Sequence, residues 1–299
     1  MTWWSITSRM TVAYVVLSHR NPPQVLRLAR ALAEGPSARV LVRHDGRRSS
    51  LPASAIEAAG AEAIADDIDV EWASWSYLEL VLSCLGEARR RLDPEWTLIL
   101  SGQDYPLRPM ADIEADLERS RSDARIGAVR EVESRRPASD DEFYLRCRYR
   151  HYARPRPVPD LPRALRPLVY ARDMPPLVGV RRIAPAPLRF YASADWLTLR
   201  RSALRKILDA ARDRRLMRHF RRVAVPSESF FASVLLADSS LTVEPDHRRF
   251  ARFSRPGAPH PDTLTSDDLG SVLSSGADFA RKFDVEADSE VLDRLDERR

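Results

Sequence analysis

Lysine is almost missing from this 299-residue chain: it occurs only at 206 and 282, so arginine supplies the other 46 of its 48 basic side chains. Cysteine is as scarce. Cys84 falls on an apolar helical pattern and Cys147 in an arginine-rich stretch, which speaks against a disulfide framework and fits a reducing compartment. No run of about 18 or more apolar residues occurs, so the pattern contains no membrane-spanning helix. Residues 1–9, with Trp3 and Trp4, lack both the apolar centre and the small-residue cleavage site of a signal peptide. Met10 opens a better-patterned segment, and residues 1–9 are expected to be a disordered extension or an upstream start. The expected location is the cytoplasm, including a peripheral position at the inner face of the membrane. Repeats and low-complexity tracts are absent. No helix-turn-helix, aromatic-interleaved basic motif or zinc knuckle accompanies the positive charge, so nucleic acid is not an expected partner. His and Cys show no metal-ligand spacing, so a zinc site is not expected.

What remains is an ordinary globular composition. Hydrophobic residues make up 44% of the chain, enough for one large α/β domain or two small ones. The net charge is +5. Acidic and basic residues are mixed almost everywhere, as on a solvated surface. A compositional preference for arginine accounts for the excess, and so would an acidic partner; a nucleoside diphosphate needs only one or two cationic groups.

Thr11–Ser18 is a short apolar run and reads as a buried strand. The turn His19–Pro23 follows, then a helix with Val25, Leu28, Ala29 and Leu32 on one face, ended by Gly35-Pro36. Ala38–His44 reads as a second strand, so the chain opens with a β-α-β unit and a parallel sheet. Tyr77, Leu80, Val81, Cys84 and Leu85 mark a second long helix, and Thr97–Ser101 a third strand. In open sheets of this kind ligands bind beyond the C-terminal strand ends. Residues 18–22, 44–50 and 101–107 are therefore the places to search. Residues 131–190 carry many prolines and arginines with little periodicity and are expected to form long loops that hold an acceptor or a lid. Leu199–Ala211, Ser227–Leu236 and Asp267–Leu273 read as helices, with a Pro-rich connector at Arg255–Pro261. Ser289–Arg299 reads as an exposed charged helix.

Four stretches could carry chemistry. In Leu100–Leu107 a strand ends at Ser101, Gly102 permits close backbone approach, and Asp104 sits on the turn; its carboxylate either faces the cleft or caps the turn. In Val225–Phe231, Ser227 is a candidate N-cap, with Glu228 in the first turn of the helix. Glu228 is either a good helix-start residue or a general base, since direct displacement at an anomeric carbon needs one carboxylate to take the acceptor proton. In Phe279–Asp284, Arg281 and Lys282 lie between aromatics, either as helix C-terminal cations or as a diphosphate site. Asp67-Ile68-Asp69 spells the D-x-D string that holds Mn²⁺ or Mg²⁺ in many nucleotide-sugar enzymes, but here it belongs to an acidic loop-like run rather than to a strand end.

Together these segments resemble, in order, the core-2/I-branching β-1,6-N-acetylglucosaminyltransferase family, which also contains peptide xylosyltransferases. Val12–Pro22 resembles the family's opening strand and turn. His44–Ser49 resembles its H-x-D-x-x-S segment with one residue fewer. Val70–Ser76 precedes the second helix as in the family, and Ser101–Leu107 is the most recognisable stretch. Ser193–Trp196 resembles a G-S-x-W turn with Ser for Gly and Ala for Ser. Pro226–Phe231 and Phe279–Phe283 complete the series.

The resemblance implies a GT-A-like glycosyltransferase fold: α/β, with a Rossmann-like, mixed but mostly parallel sheet flanked by helices. Residues 10–299 would form one domain, with a nucleotide-sugar half at 10–130 and an acceptor and catalytic half at 131–299. It implies an inverting transferase that takes a UDP-sugar, GlcNAc foremost, to a hydroxyl of a glycan or glycoconjugate, with no metal or other cofactor. Glu228 would be the general base. Lys282 and Arg281, with Arg249 or Arg252 upstream, would hold the diphosphate in place of a metal. His19, Asp45, Arg48 and Ser49 would lie near the nucleotide. Trp75, Asp104, Asp195 and Trp196 would line the cleft, with Asp195 as an acceptor contact. Two rivals stand beside this reading: a non-catalytic nucleotide- or glycan-binding protein on the same fold, and a metal-dependent transferase using Asp67 and Asp69.

Overall fold

The computed structural model describes residues 10–71, 73–132, 142–153, 169–172, 177–181, 189–255, 258 and 260–299. The proposed extension 1–9 and Trp72 of the Val70–Ser76 segment lie outside them, as do parts of the 131–190 region and of the Pro-rich connector.

The opening β-α-β unit falls where the periodicity predicts it: β1 (Val12–Ser18), α1 (Pro22–Ala33) and β2 (Ala38–His44). Pro22 and Pro23 start α1, where a missing N–H costs nothing and the fixed φ is already helical. Next come α2 (Ala53–Ala58), β3 (Ala61–Ala63), α3 (Trp75–Leu92), β4 (Trp96–Ser101), β5 (Tyr105–Pro106), α4 (Met110–Arg119), β6 (Ala124–Arg125) and β7 (Arg130–Glu131). The Ser74 side chain caps α3 by accepting from the Ser76 N–H at 3.1 Å. The second half of the chain adds α5 (Glu142–Arg148), β8 (Tyr149–Ala153), β9 (Val169–Arg172), β10 (Leu177–Arg181), β11 (Tyr191–Ala192) and β12 (Thr198–Arg200). It continues through α6 (Arg201–Arg212), α7 (Arg214–Phe220), α8 (Ser227–Leu236), β13 (Val243–Glu244) and β14 (Arg249–Ala251). A 3-10 turn (Ser266–Asp268), α9 (Leu269–Ser274), β15 (Phe279–Arg281) and α10 (Glu290–Asp296) end it.

Among the described residues the central sheet has seven strands in the order β13-β6-β12-β4-β1-β2-β3. The β4-β1-β2-β3 half is parallel, and β12 runs antiparallel between β4 and β6. This is the mixed, mostly parallel, helix-flanked α/β fold that the sequence predicts. Its core divides by strand alternation. Val12, Tyr14 and Val16 of β1 point to one face, packed with Leu28, Leu32, Ile113 and Leu292. Ala13 and Val15 point to the other, packed with Leu80, Leu85, Leu204 and Phe230. A small second sheet, β14-β15-β5, lies at the C-terminal ends of β1 and β4 and brings Arg249 and Arg281 beside the turn that follows β4.

Several expectations need correction. The 131–190 region is not all loop: α5 is helical, and β8, β10 and β9 form an antiparallel sheet. The three strands are only four or five residues long, too short to mark a period, so the pattern missed them. Leu199 belongs to β12 and not to the following helix, because its backbone pairs with Thr97 of β4. The C-terminal helix is not simply exposed. Val291, Leu292 and Leu295 are buried, and Arg27 meets Asp296 at 2.8 Å from Nε. In a charged segment of seven residues, three apolar positions on one face are enough to dock it. Cys84 and Cys147 are both buried thiols, Cys147 lying in the core despite its arginine neighbours. Among the described residues no helix is long and apolar enough to cross a membrane.

Gly102 marks how tightly the sheet end is packed. A Cβ there would lie 2.8 Å from Ser18 Cβ and 3.0 Å from Val25 Cγ2. Its N–H donates to Leu17 O at 2.9 Å, which leaves the backbone no room to retreat. Gly102→Ala should destabilise the protein by about 1–3 kcal/mol, the usual cost of overpacking. Denaturant unfolding should register it as a lower midpoint with unchanged slope; an unchanged midpoint would refute the close-approach argument.

Candidate active site

The first group of expected residues gathers where β1 and β2 end. Ser18 Oγ donates to His44 Nδ1 (2.8 Å), and His44 Nε2 faces both the carbonyl (2.8 Å) and hydroxyl (2.9 Å) of Ser49. The carbonyl partner makes Nε2 the protonated nitrogen and Nδ1 the acceptor. Ser49 Oγ also donates to the His19 carbonyl (3.2 Å). Asp45 is buried; its N–H donates to Ser18 O (2.8 Å), its carboxylate accepts from Arg47 N–H (3.2 Å), and Arg48 N–H donates to Asp45 O (3.0 Å). His19, Asp45, Arg48 and Ser49 therefore share one turn-on-turn unit. Burial lowers both the His19 and His44 pKa values, with Arg20 and Arg48 adding to the effect at His19.

The neighbouring loop is fixed by a buried bidentate pair, Arg43 to Asp66, at 2.8 and 3.0 Å. Asp67 and Asp69 follow on its exposed side. Asp69 pairs with Arg47 Nη1 at 3.0 Å, and the Asp67 carbonyl accepts from Arg47 Nη2 at 2.9 Å. Among the described residues no three His, Cys, Asp or Glu side chains form a set that could hold a metal ion.

The second group surrounds the turn after β4. Asp104 has no exposed surface. One carboxylate oxygen accepts from the Ser101 N–H (2.9 Å), and the other lies 3.3 Å from Arg281 Nε. Asp104 therefore caps its own turn and faces a cation. The Arg281 guanidinium lies 5.2 Å from the Trp196 ring centroid, and Trp196 meets His247 edge-on at 4.5 Å. Asp195 hydrogen-bonds Tyr77, whose hydroxyl pKa is raised well above its usual range by burial and by that carboxylate.

Arg249 is buried behind them. Its Nη2 donates to Ile99 O (2.8 Å), while Nε and Nη1 are buried donors with no acceptor among the described residues. Burial pushes its pKa down to about 10; Arg281 repels it further, and Asp104, Asp278 and Asp195 offset part of the loss. Arg252, the other upstream candidate, pairs instead with Asp262 (3.2 Å) and Asp268, outside this cluster.

Gln24 clamps the Lys282 segment to the same turn. Its side-chain amide donates to Gly102 O (3.2 Å) and Phe283 O (3.0 Å), and its carbonyl accepts from Val285 N–H (3.0 Å). Phe283 N–H donates to Gln103 O at 2.9 Å. Lys282 has no carboxylate partner among the described residues, whereas Lys206 pairs with Asp238 at 2.9 Å.

Glu228 stands at the start of α8. Ser227 is the first helical residue and not the cap, as Pro226 holds the cap position without a side-chain bond. The turn before it passes through Val225 with φ 49°, in the left-handed region that β-branched residues rarely enter. The Glu228 side chain is about one-third exposed and forms an ion pair with Arg146 of α5. Arg146 in turn lies over the Phe143 ring at 4.8 Å. The Glu228 carbonyl accepts from Ser193 N–H (2.9 Å), which ties the Asp195–Trp196 turn to α8. Trp75 opens α3 with the Arg221 guanidinium 5.2 Å above its ring.

Sequence reasoning missed Gln24, Tyr77, Arg146 and His247 as site residues. A polar Gln24 on the Val25–Leu28 face of α1 was a readable signal, because a buried amide must find partners. Arg146 had none, lying among the many arginines of the region without a period.

The chain matches the family model described as Core-2/I-Branching enzyme over residues 12–273. Among solved structures it is similar to mouse xyloside xylosyltransferase 1 in its apo form. The identity is 8%, 90% of this chain and 97% of that one are covered, and the TM-score is 0.44. HddC from Yersinia pseudotuberculosis is 10% identical over 64% of this chain and 78% of its own, with TM-score 0.29. The glycosyltransferase GlyE of Streptococcus pneumoniae TIGR4 is 10% identical over 40% of this chain and 30% of its own, with TM-score 0.27. A comparison with curated proteins found no match.

His247 gives this cluster a measurable signature. Burial, then the charge of Arg249, push its pKa down to about 4 from an ordinary 6.5. The unfolded chain binds the proton more readily, so the stabilisation is complete above about pH 6.5 and is lost as pH falls toward about 4. His247→Gln should flatten that part of the stability-pH curve measured by urea unfolding. An unchanged slope would mean that His247 is not held neutral against Trp196 and Arg249.

Proposed function

The chain belongs to the Core-2/I-branching enzyme family and is a glycosyltransferase, and from that premise we propose an inverting, metal-independent transfer of a sugar from a UDP-sugar to a hydroxyl of a glycan or glycoconjugate. GlcNAc is the donor sugar proposed. The observation that carries this reading is Arg249, a buried arginine with two donors that find no acceptor among the described residues, set beside Arg281 and Asp104 next to Lys282. Burying such donors without an acceptor is costly, and a diphosphate offers the oxygens that would fill them.

In this reading the uridine lies by the Asp45–Ser49 turn and the diphosphate against Arg249, Arg281 and Lys282. The acceptor occupies the side of Trp75, Asp195 and Trp196. Glu228 takes the proton of the acceptor hydroxyl as its oxygen bonds to the anomeric carbon. The bond from that carbon to the β-phosphate oxygen breaks, and its electron pair leaves with UDP. Fixed cations at the leaving group meet charge that grows toward the transition state, so they favour it over the ground state. A single displacement with no covalent intermediate inverts the anomeric configuration. Arg146 holds the Glu228 carboxylate in place; it is a positioning residue in this scheme.

The rival that uses Asp67 and Asp69 with a divalent metal must first separate Asp69 from Arg47. Activity that survives EDTA supports the metal-independent reading. Loss with chelator and recovery with Mn²⁺ would replace it by the rival. UDP release that rises on adding an acceptor separates both from a non-catalytic binding protein.

Glu228→Gln should fold and bind UDP as wild type does while transferring sugar about 10²–10⁴-fold more slowly, the usual cost of losing a general base. A helix-start role alone predicts instead a lower melting temperature with normal turnover. Lys282→Ala should weaken UDP binding by about 10- to 100-fold, the equivalent of one charge-assisted contact of roughly 1.5–3 kcal/mol. Calorimetry showing wild-type affinity in that variant would remove Lys282 from the diphosphate site.

A further inference from the structure

Residues 212–222 depart from the even mixture of charge: they contain six arginines and a single aspartate, a net +5 that equals the net charge of the whole chain. A second eleven-residue stretch of net +5, 146–156, has five arginines and no acid, but Arg154 and Arg156 lie outside the described residues.

The structure gives those residues a shape. Asp213 is the N-cap of α7 and accepts from the Arg215 (2.8 Å) and Leu216 (3.2 Å) N–H groups. Leu216 and Phe220, four apart, are buried, with Phe220 edge-on to Phe230 at 5.0 Å. Arg214, Arg215 and Arg218 are thereby turned to solvent, all three exposed and without an ion pair among the described residues. Arg221 and Arg222 are also exposed and follow three and four residues after Arg218, just past the end of α7. Arg212 pairs with Asp209, and Arg221 lies over Trp75. The unpaired centre of the stripe is Arg214, Arg215 and Arg218.

We propose that this arginine stripe docks the protein on an anionic phospholipid surface. Guanidinium groups bind phosphate oxygens in pairs, and an exposed row of them matches a laterally continuous sheet of phosphates. A nucleic acid also offers phosphates, but its unpaired bases need aromatic platforms. The exposed large hydrophobic side chains among the described residues, Val180 and Phe253, both lie outside the segment. The inference stands on charge and exposure and does not depend on the catalytic assignment.

Sedimentation with vesicles tests it, using the full chain. The protein should pellet with phosphatidylcholine vesicles that contain phosphatidylglycerol, not with phosphatidylcholine alone, and raising the salt should release it. Each basic residue near such a surface strengthens binding roughly fivefold, so changing Arg214, Arg215 and Arg218 to Gln should weaken it on the order of 100-fold. The same three positions changed to Lys should keep most of the binding, which guards against a folding defect in the Gln variant; melting and UDP binding should match wild type in both. Failure of the wild type to pellet with the anionic vesicles would overturn the proposal. So would a Gln variant that pellets as well as wild type, or a duplex oligonucleotide that binds the stripe more tightly than the vesicles do.

Discussion

A carboxylate with no exposed surface sits at the centre of the arrangement. Burying Asp104 is tolerable only because its two oxygens are both engaged, one by the Ser101 N–H and one by the Arg281 guanidinium. The first contact fixes the turn at the end of β4. The second binds β15 to that turn, although 180 residues of sequence separate Gln103 from Phe283. Lys282 follows Arg281 directly, so its position is inherited from the Asp104 pair. Tyr105, the next residue, donates to Asp296 at 2.7 Å and so carries the constraint on to α10.

Cations cannot be packed together without compensation. Arg249 and Arg281 repel each other, and Arg249 is buried as well; Asp104, Asp195 and Asp278 oppose both penalties. Asp278 is itself buried and faces Arg108 at 2.8 Å, Arg248 at 3.6 Å and Arg125 at 3.9 Å. With Asp116 on Arg108 and Glu244 on Arg125, the result is a network in which carboxylates and arginines are closely matched. Such a network is rigid because moving any member exposes another charge to a low-dielectric surrounding. Glu228 belongs to a different support. It is held by Arg146 and by the Ser193 turn, so Glu228 and the Arg249–Arg281 group rest on separate elements, with Asp195 and Trp196 on the turn between them.

The elements with strong periodicity were legible in advance. β1 and β2 fall where continuous apolar runs predict strands buried on both faces, α1 where its apolar stripe predicts a helix, and α8 where a helix is expected. The β8-β9-β10 sheet was not legible, since its strands are only four or five residues long. The C-terminal helix was read as exposed because three buried side chains leave a weak mark among so many charges. For the candidate site, the identity of Asp104, Arg281, Lys282 and Glu228 was readable from motif resemblance. The choice between Arg249 and Arg252 was not, because both precede Lys282 on one short stretch and only the strand pairing decides which one turns inward.

The sequence by itself determined the class of fold and the family of the chain. These are local properties, set by apolar spacing and by short strings of residues near one another in the chain. Tertiary structure alone decided that Arg146 meets Glu228, that Gln24 joins Gly102 to Phe283, and that Tyr77 meets Asp195. Those contacts join segments between 78 and 259 residues apart. A polar side chain carries no mark of which distant partner will satisfy it; only the closed sheet, by placing the two in one low-dielectric space, makes the pairing obligatory.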